Sequence, residues 1–489
     1  MRVATRLQIV LRQAAPALLT VFALSAAGAA ARAQTQNLSS AANPFFGSVT
    51  AQPISSQTLR LSLDEAVRRG LENNLGLKEA EAGQKALHGE RDEALQQFLP
   101  TITLSGDTGY FQHDLAALGF SPAVIAEFAP LFPGGKVPPG LSAITRDDLT
   151  MGQIHFSETL FSAPVFAGWK AAGAAEKSAY FTMMSAQGNV IQDVATTYLR
   201  CIADRSEVSD AQAQVAEAQV LFEHTHAEHQ AGTVPGLDEL RARVELGDQQ
   251  QALIAAQNAL QKDLILLKRE IGVDPGQKIE LTDRSPYEKL AVESHAELLA
   301  TAYVDRQDYQ NLKSQAVEYK AVHAAYRAER LPSLTFTSYY GTSTVNGAGT
   351  HGDFVAMGTL KIPIFREARL RGDEDASQAQ MEAVNAQLAD LRVQIDEQVR
   401  AAMLDVSATD KLVDVARSNV ELAKRALSDE IDRVDAGVDD NLPLVTAQAT
   451  LATAESGLVE SLYQYNVAKL ALARSIGVIQ TEYRTYLGR

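Results

Sequence analysis

Residues 388–434 read LADLRVQIDEQVRAAMLDVSATDKLVDVARSNVELAKRALSDEIDRV. Apolar side chains fall at Leu388, Leu391, Ile395, Val399, Met403, Val406, Val413, Ala416, Val420, Ala423, Leu427, Ile431 and Val434, in steps of three or four with one step of seven. That spacing keeps one face of an α-helix apolar turn after turn, as in a coiled-coil seam. No proline occurs from Arg366 to Ala436. At 1.5 Å per residue such a helix reaches ~100 Å. No compact globule needs that length.

The same pattern lies upstream. Val190, Val194, Tyr198, Cys201, Val208, Val215, Ala218 and Phe222 form a second seam, inside a Pro-free run from Val165 to Ala231. The matched lengths imply two helices lying side by side in register. The chain is in fact written twice. Leu99-Pro100-Thr101-Ile102-Thr103 returns as Leu331-Pro332-Ser333-Leu334-Thr335, and Leu160-Phe161 as Ile364-Phe365. Ala231-Gly232 returns as Ala436-Gly437, and Ile271-Gly272-Val273 as Ile476-Gly477-Val478. The first pair is offset by 232 residues and the others by 204, 205 and 205, so the first half carries an insertion of 28 between its strands.

Each half predicts a helix, two strands, a very long helix and a returning helix. The first repeat spans 59–272, with strands about 100–112 and 149–161, a long helix about 163–231 and a return helix 237–272. Ser62 and Glu65 predict a capping box at its start. Residues 273–294, with Pro275, Gly276 and Pro286, form a linker. The second repeat spans 295–480, with strands about 332–342 and 353–365, a long helix 366–436 and a return helix 441–477. Residues 34–58 read as an extended, flexible segment and 481–489 as a C-terminal tail.

The strands alternate. Ile102, Leu104, Thr108 and Tyr110 share a face, as do Leu334, Phe336 and Tyr340, and Phe354, Ala356, Leu360, Ile362 and Ile364. Strands of 9 to 13 residues span a bilayer when tilted. Tyr110, Phe111, Tyr339 and Tyr340 at one end and Phe161 and Phe365 at the other suggest interfacial girdles. A small soluble sheet packed on a helix gives the same patterning. If the strands do cross a membrane, four cannot close a barrel, because the smallest have about eight. A dimer then supplies eight strands and a trimer twelve.

Composition excludes several functions. Formal charge is −16, and −20 once the first 33 residues are set aside. Nucleic-acid binding needs basic stripes instead. Arg2, Arg6 and Arg12, the apolar run Ala14 to Ala31 and the Ala31-Arg32-Ala33 site make 1–33 a signal peptide. Cys201 is the single cysteine and a candidate small core residue. Trp169 reads as an interfacial anchor or as core. No phosphate loop, nucleophile elbow or metalloprotease helix occurs, so the reading is not an enzyme and has no cofactor. His224, His226 and His229 cluster before the first turn with Glu223 and Glu228. A Zn²⁺ or Cu²⁺ site is one reading; a polar helix face is the favoured one. The insertion, about 113–148, holds Phe120, Phe128, Phe132 and five prolines. It reads as a tolerated surface loop.

A signal peptide, a duplicated helix–strand–strand–helix pattern and paired hairpin tips together resemble the bacterial outer membrane efflux proteins, the TolC-like family. The stretches that carry the likeness are Leu61-Ser62-Leu63-Asp64-Glu65-Ala66, Phe98-Leu99-Pro100-Thr101, Pro363-Ile364-Phe365 and Ala447-Gln448-Ala449. Their order and spacing, twice over residues 59–480, are specific; no single motif is. The resemblance implies a mainly α fold with a small membrane β-barrel portion: a long α-helical barrel through the periplasm and a 12-stranded β-barrel in the outer membrane, formed by a homotrimer. It implies contact with outer membrane lipid and docking to a periplasmic adaptor and an inner membrane transporter.

The resemblance also implies a gate at the tips, residues 232–238 and 437–443. Counted from Gly232 and Gly437, Asp238 matches the family's first-tip Asp. The family's Arg position holds Asp439, and its two pore-ring Asp positions hold Pro443 and Thr446. The latching salt bridge is therefore absent as written. Asp439 and Asp440 would gather six carboxylates in a trimer, and like charges repel. A weakly latched, cation-preferring entrance is expected. The competing readings are a soluble periplasmic coiled-coil adaptor and a structural scaffold without transport.

Overall fold

The computed structural model describes residues 43–488 apart from 50–52, 115, 117–118, 138–143, 284–286, 292, 348 and 436–440. The signal peptide, residues 34–42 and 50–52 of the 34–58 segment, and Gly437, Asp439 and Asp440 lie outside the described residues. The described residues from Pro44 onward form one compact unit.

In chain order the first half runs β1 (Leu59–Leu61), α1 (Leu63–Asn73), α2 (Leu75–Gln96), β2 (Thr101–Asp114), α3 (Pro122–Glu127), β3 (Ile144–Ser162), α4 (Ala163–Gln230) and α5 (Gly236–Glu270). The second runs β4 (Ile279–Leu281), α6 (His295–Asp305), α7 (Gln307–Ala328), β5 (Ser333–Val345), β6 (Thr350–Lys361), α8 (Glu367–Asp435), α9 (Asn441–Ser475) and α10 (Ile479–Tyr486). α4 has 68 residues and α8 has 69. Pro164 stands in the first turn of α4, where a missing N–H costs nothing.

Several boundaries differ from expectation. β3 begins at Ile144, five residues before the expected 149, because the polar stretch through Asp148 pairs with residues 110–114 of β2. β6 ends at Lys361 instead of 365: Pro363 has no N–H for a ladder. The tail 481–489 is mostly helix: α10 buries Tyr483, Leu487 follows it into the core, and the Tyr483 hydroxyl donates to Asp64 Oδ1 at 2.8 Å. In the segment 34–58, Pro44–Phe46 forms a helical turn and the Phe45 ring lies over Gly76. The expected capping box at Ser62 is half formed. Ser62 Oγ accepts from Glu65 N (3.3 Å), but the Glu65 carboxylate turns to Arg68 and Arg69. A complete box forms at Ser294 and Glu297.

The main core is wrapped around the middle of α4. Val190, Val194, Tyr198, Cys201 and Ile202 meet Leu267 and Ile271 at the end of α5, Ile395, Val399 and Val406 of α8, and Tyr465, Leu470 and Leu472 of α9. Each such aliphatic side chain contributes roughly 1.5–3 kcal/mol on burial. The buried Tyr198 hydroxyl donates to Asp283 Oδ2 (2.8 Å) and stands 2.9 Å from Leu61 O. It thereby ties α4 to the parallel β1–β4 pair, which joins residues 220 apart, Leu59 to Ile279. A smaller core near the tips gathers Leu221, Ala242, Val420, Ala423, Leu427, Leu444 and Leu451. The return helices end at Gly272 (φ 72°) and Gly477 (φ 85°). At Gly477 a Cβ would stand 2.6 Å from the backbone of Asp305 and Arg306, so the left-handed turn and the close approach both demand glycine.

Candidate functional site

The four long strands form one antiparallel sheet in the order β2-β3-β5-β6. Its register sorts the side chains into two unlike faces. Ile102 lies across from Phe156, Leu104 from Ile154, Ile154 from Tyr340, and Tyr340 from Phe354. These residues and Phe336 and Leu360 make one apolar face, and most of them are exposed. The opposite face carries Thr103, Ser105 and Asp107, with His155, Gln153, Tyr339 and Asp353 across the ladder. His155 Nε2 stands 3.1 Å from Ser105 Oγ, and Gln153 donates to Asp353 Oδ2 (3.4 Å). The Gln153 backbone packs against Gly341, where a Cβ would strike Gly152 O and stand 2.7 Å from Gln153 Cα. A water-facing sheet buries its apolar face; this one exposes it and pairs its polar groups on the other side. That is the arrangement of a barrel wall in lipid with a wet lumen.

The expected aromatic girdle is split by the pleat. Tyr110 and Tyr340 belong to the apolar face, whereas Phe111 and Tyr339 belong to the polar one. Phe365 lies beyond β6, 90% exposed. Trp169 packs edge-on against Phe98 (6.4 Å) and tilted against Phe166 (6.1 Å) at the start of α4. Among the described residues no helix is long and apolar enough to cross a membrane, and neither β2 nor β6 has a neighbour on its outer side.

At the first tip, Gly232 takes φ 75° and closes the turn between α4 and α5. Asp238 accepts from Arg241 of its own helix at 3.2 Å. His226 Nδ1 stands 2.8 Å from Glu239 Oε1, and His229 Nε2 3.8 Å from Glu239 Oε2. His224 is apart from them, 3.3 Å from Glu228. Among the described residues no three ligating side chains are arranged to hold a metal. At the second tip Thr446 lines an open groove of about 850 Å³ with Leu412, Val415 and Leu422 of α8 and Ala449 and Gly457 of α9.

Periodicity misses one polar cluster. The seam of α4 steps from Cys201 to Val208, and that step of seven passes over Asp204, which is buried. Arg200 Nε lies 3.0 Å from Asp204 Oδ1 and 3.9 Å from Asp263 Oδ2 of α5, and Arg200 Nη1 donates to Glu460 of α9 at 2.8 Å. A gap in an apolar stripe was the available signal.

The chain matches the outer membrane efflux protein family over residues 66–273 and 303–478. It belongs to that family and is an outer membrane protein that extends into the periplasm. The pyoverdine export outer membrane protein OpmQ of Pseudomonas aeruginosa is 23% identical over 314 residues, which cover 64% of this chain and 66% of that one. The toluene efflux pump outer membrane protein TtgF of Pseudomonas putida is 26% identical over 316 residues, covering 60% and 62%. The match thus spans a little under two thirds of these curated relatives. The fold is that of the Campylobacter jejuni CmeC outer membrane channel, with a TM-score of 0.70 at 14% identity over 90% of this chain and 93% of that one. The open-state MtrE channel of Neisseria gonorrhoeae gives 0.68 at 18% identity, over 88% and 95%.

Proposed function

We propose that the chain is one third of a homotrimeric exit duct, which passively conducts solutes from a periplasmic adaptor and an inner membrane transporter to the cell exterior. One observation carries this: a four-stranded sheet with an exposed apolar face, a polar face and two open edges. Open edges invite pairing, and three copies joined β6 to β2 close twelve strands. A ring of eight encloses little more than side chains, whereas a duct needs a wet lumen. The helices of each copy continue the wall into the periplasm. The relatives named for pyoverdine export and toluene efflux serve unlike solutes, which fits a conduit that does no chemistry on its cargo.

Heat-modifiable, trimeric migration of detergent extracts of the outer membrane is the expected result. A monomer in the soluble periplasmic fraction would refute the duct. The entrance is formed by the two tips, and Asp439 and Asp440, assigned to the second tip by position in the repeat, are its candidate carboxylates. A double Asp439→Asn, Asp440→Asn variant then lowers cation over anion permeability in planar bilayers, and unchanged selectivity removes these two residues from the pore.

A further inference from the structure

The seam between α4 and α5 buries more acid than it neutralises. Asp204 is 1% exposed, and among the described residues no N–H donor is aligned with either carboxylate oxygen, although Arg200 Nε is 3.0 Å away and the Asp263 carboxyl is within reach. That one guanidinium also serves Asp263 of α5 and Glu460 of α9. Glu207, one turn along α4, adds a further negative charge beside Asp204. On the core side, Glu270 of α5 is 1% exposed. Its Oε1 accepts from the Thr197 hydroxyl at 3.2 Å, and its Oε2 has no donor among the described residues. The charged group that faces it is Asp193 of α4, itself countered only at a distance by Arg474 of α9. The buried thiol of Cys201 lies between the two levels.

A carboxylate without donors in an apolar seam is costly, and the group keeps its proton instead. Burial pushes Glu270 up to about 8, with Asp193 adding to the rise and Thr197 opposing it. Burial likewise raises Asp193 to about 6. Asp204 is raised by burial first and then by its carboxyl neighbour Asp263, against the pull of Arg200.

We propose that this seam is a proton-held latch: protons on Glu270 and on Asp204 keep the return helix α5 against α4, and losing them drives the two helices apart. A carboxyl whose value is raised in the packed state stabilises packing fully below its free value and loses that contribution as pH rises through the packed value. For Glu270 the window runs from 4.5 to about 8. Because α5 leads from this seam to the first tip, release loosens the periplasmic end of the hairpin. That last consequence rests on the duct reading; the latch itself does not.

Cys201, the single cysteine, is a built-in reporter. In the detergent-solubilised full chain, its alkylation rate is measured at pH ~6 and ~9 and divided by the rate of the denatured chain, which removes the thiol's own titration. The corrected rate should rise at least about tenfold, the factor that one pKa unit of differential ionisation supplies. An Asp204→Asn, Glu270→Gln double variant should label slowly at both. A corrected rate that does not change with pH in the unmodified chain overturns the latch, as does an unaltered rise in the double variant. Should that variant fold poorly, amide exchange of 255–270 in the unmodified chain decides the matter independently: pH-independent protection, after correction for intrinsic exchange, refutes the latch. Bilayer conductance is read in parallel. Conductance that stays flat while Cys201 opens separates the seam from the entrance and tells against the duct link alone.

Discussion

α4 and α8 occupy the same place in the two repeats, and their lengths differ by one residue. Their surroundings differ far more. α4 packs against α1, α2, α5, α7, α9 and α10, so its middle is closed within the chain. α8 leans on α6, α7 and α9 and leaves Val393, Leu404, Leu412, Val415 and Leu422 on an exposed stripe beside its buried seam. The sheet does not share the contrast: each repeat gives one inner strand, β3 or β5, and one edge strand, β2 or β6. Duplication therefore copied lengths and turns but not completeness. The first copy encloses the middle of its long helix, the second leaves a helix face exposed, and each copy keeps one strand edge open.

That contrast can be broken at graded sites. Tyr198→Ala, inside the closed surroundings of α4, should cost about 3–5 kcal/mol in denaturant unfolding; a loss near zero would mean that α4 is not enclosed. Gly341→Ala on the inner strand β5 forces a Cβ onto backbone and should cost roughly 1–3 kcal/mol. Gly358→Ala on the edge strand meets open space and should leave thermal unfolding unmoved, so equal effects would erase the inner–edge distinction. Ile395→Val on the buried seam of α8 should cost about 0.5–1.5 kcal/mol by the same assay. Smallest on stability is Leu404→Asp on the outer stripe of α8, where the side chain is 70% exposed. The single chain should keep its stability within about 0.5 kcal/mol, yet lose its oligomer on native gels. An oligomer that survives would show that the stripe needs no second copy.

Much of this was readable from residues. Steps of three and four without proline give α4 and α8 their extent, and Leu-Pro pairs mark where β2 and β5 begin. Single-chain periodicity also found the sheet's apolar face, since a pleat alternates whatever covers it. It failed where partners lie far away in sequence. Residues 144–148 look like loop because they are polar, but β2 supplies their ladder. α10 looks like tail because its apolar residues are few, but Asp64 and the core near α4 receive them. Two of the three steps of seven cover charged residues that pair across the fold. One hides Asp204; the other spans Asp410, which holds Lys289 of the linker at 2.9 Å. The tip at 436–440 lies outside the described residues, so Asp439 and Asp440 remain assigned by position in the repeat.

The open edges of β2 and β6 also bear on the life of the chain before assembly. A lone copy newly delivered to an aqueous compartment carries an apolar sheet face and two unpaired edges, the two features that nucleate aggregation. Waiting is hazardous for it. Either a chaperone shields the strands during transit, or chains meet their siblings faster than they meet strangers. Supply rate and escort capacity, more than the stability of any finished helix, then set how much of the chain reaches the outer membrane intact.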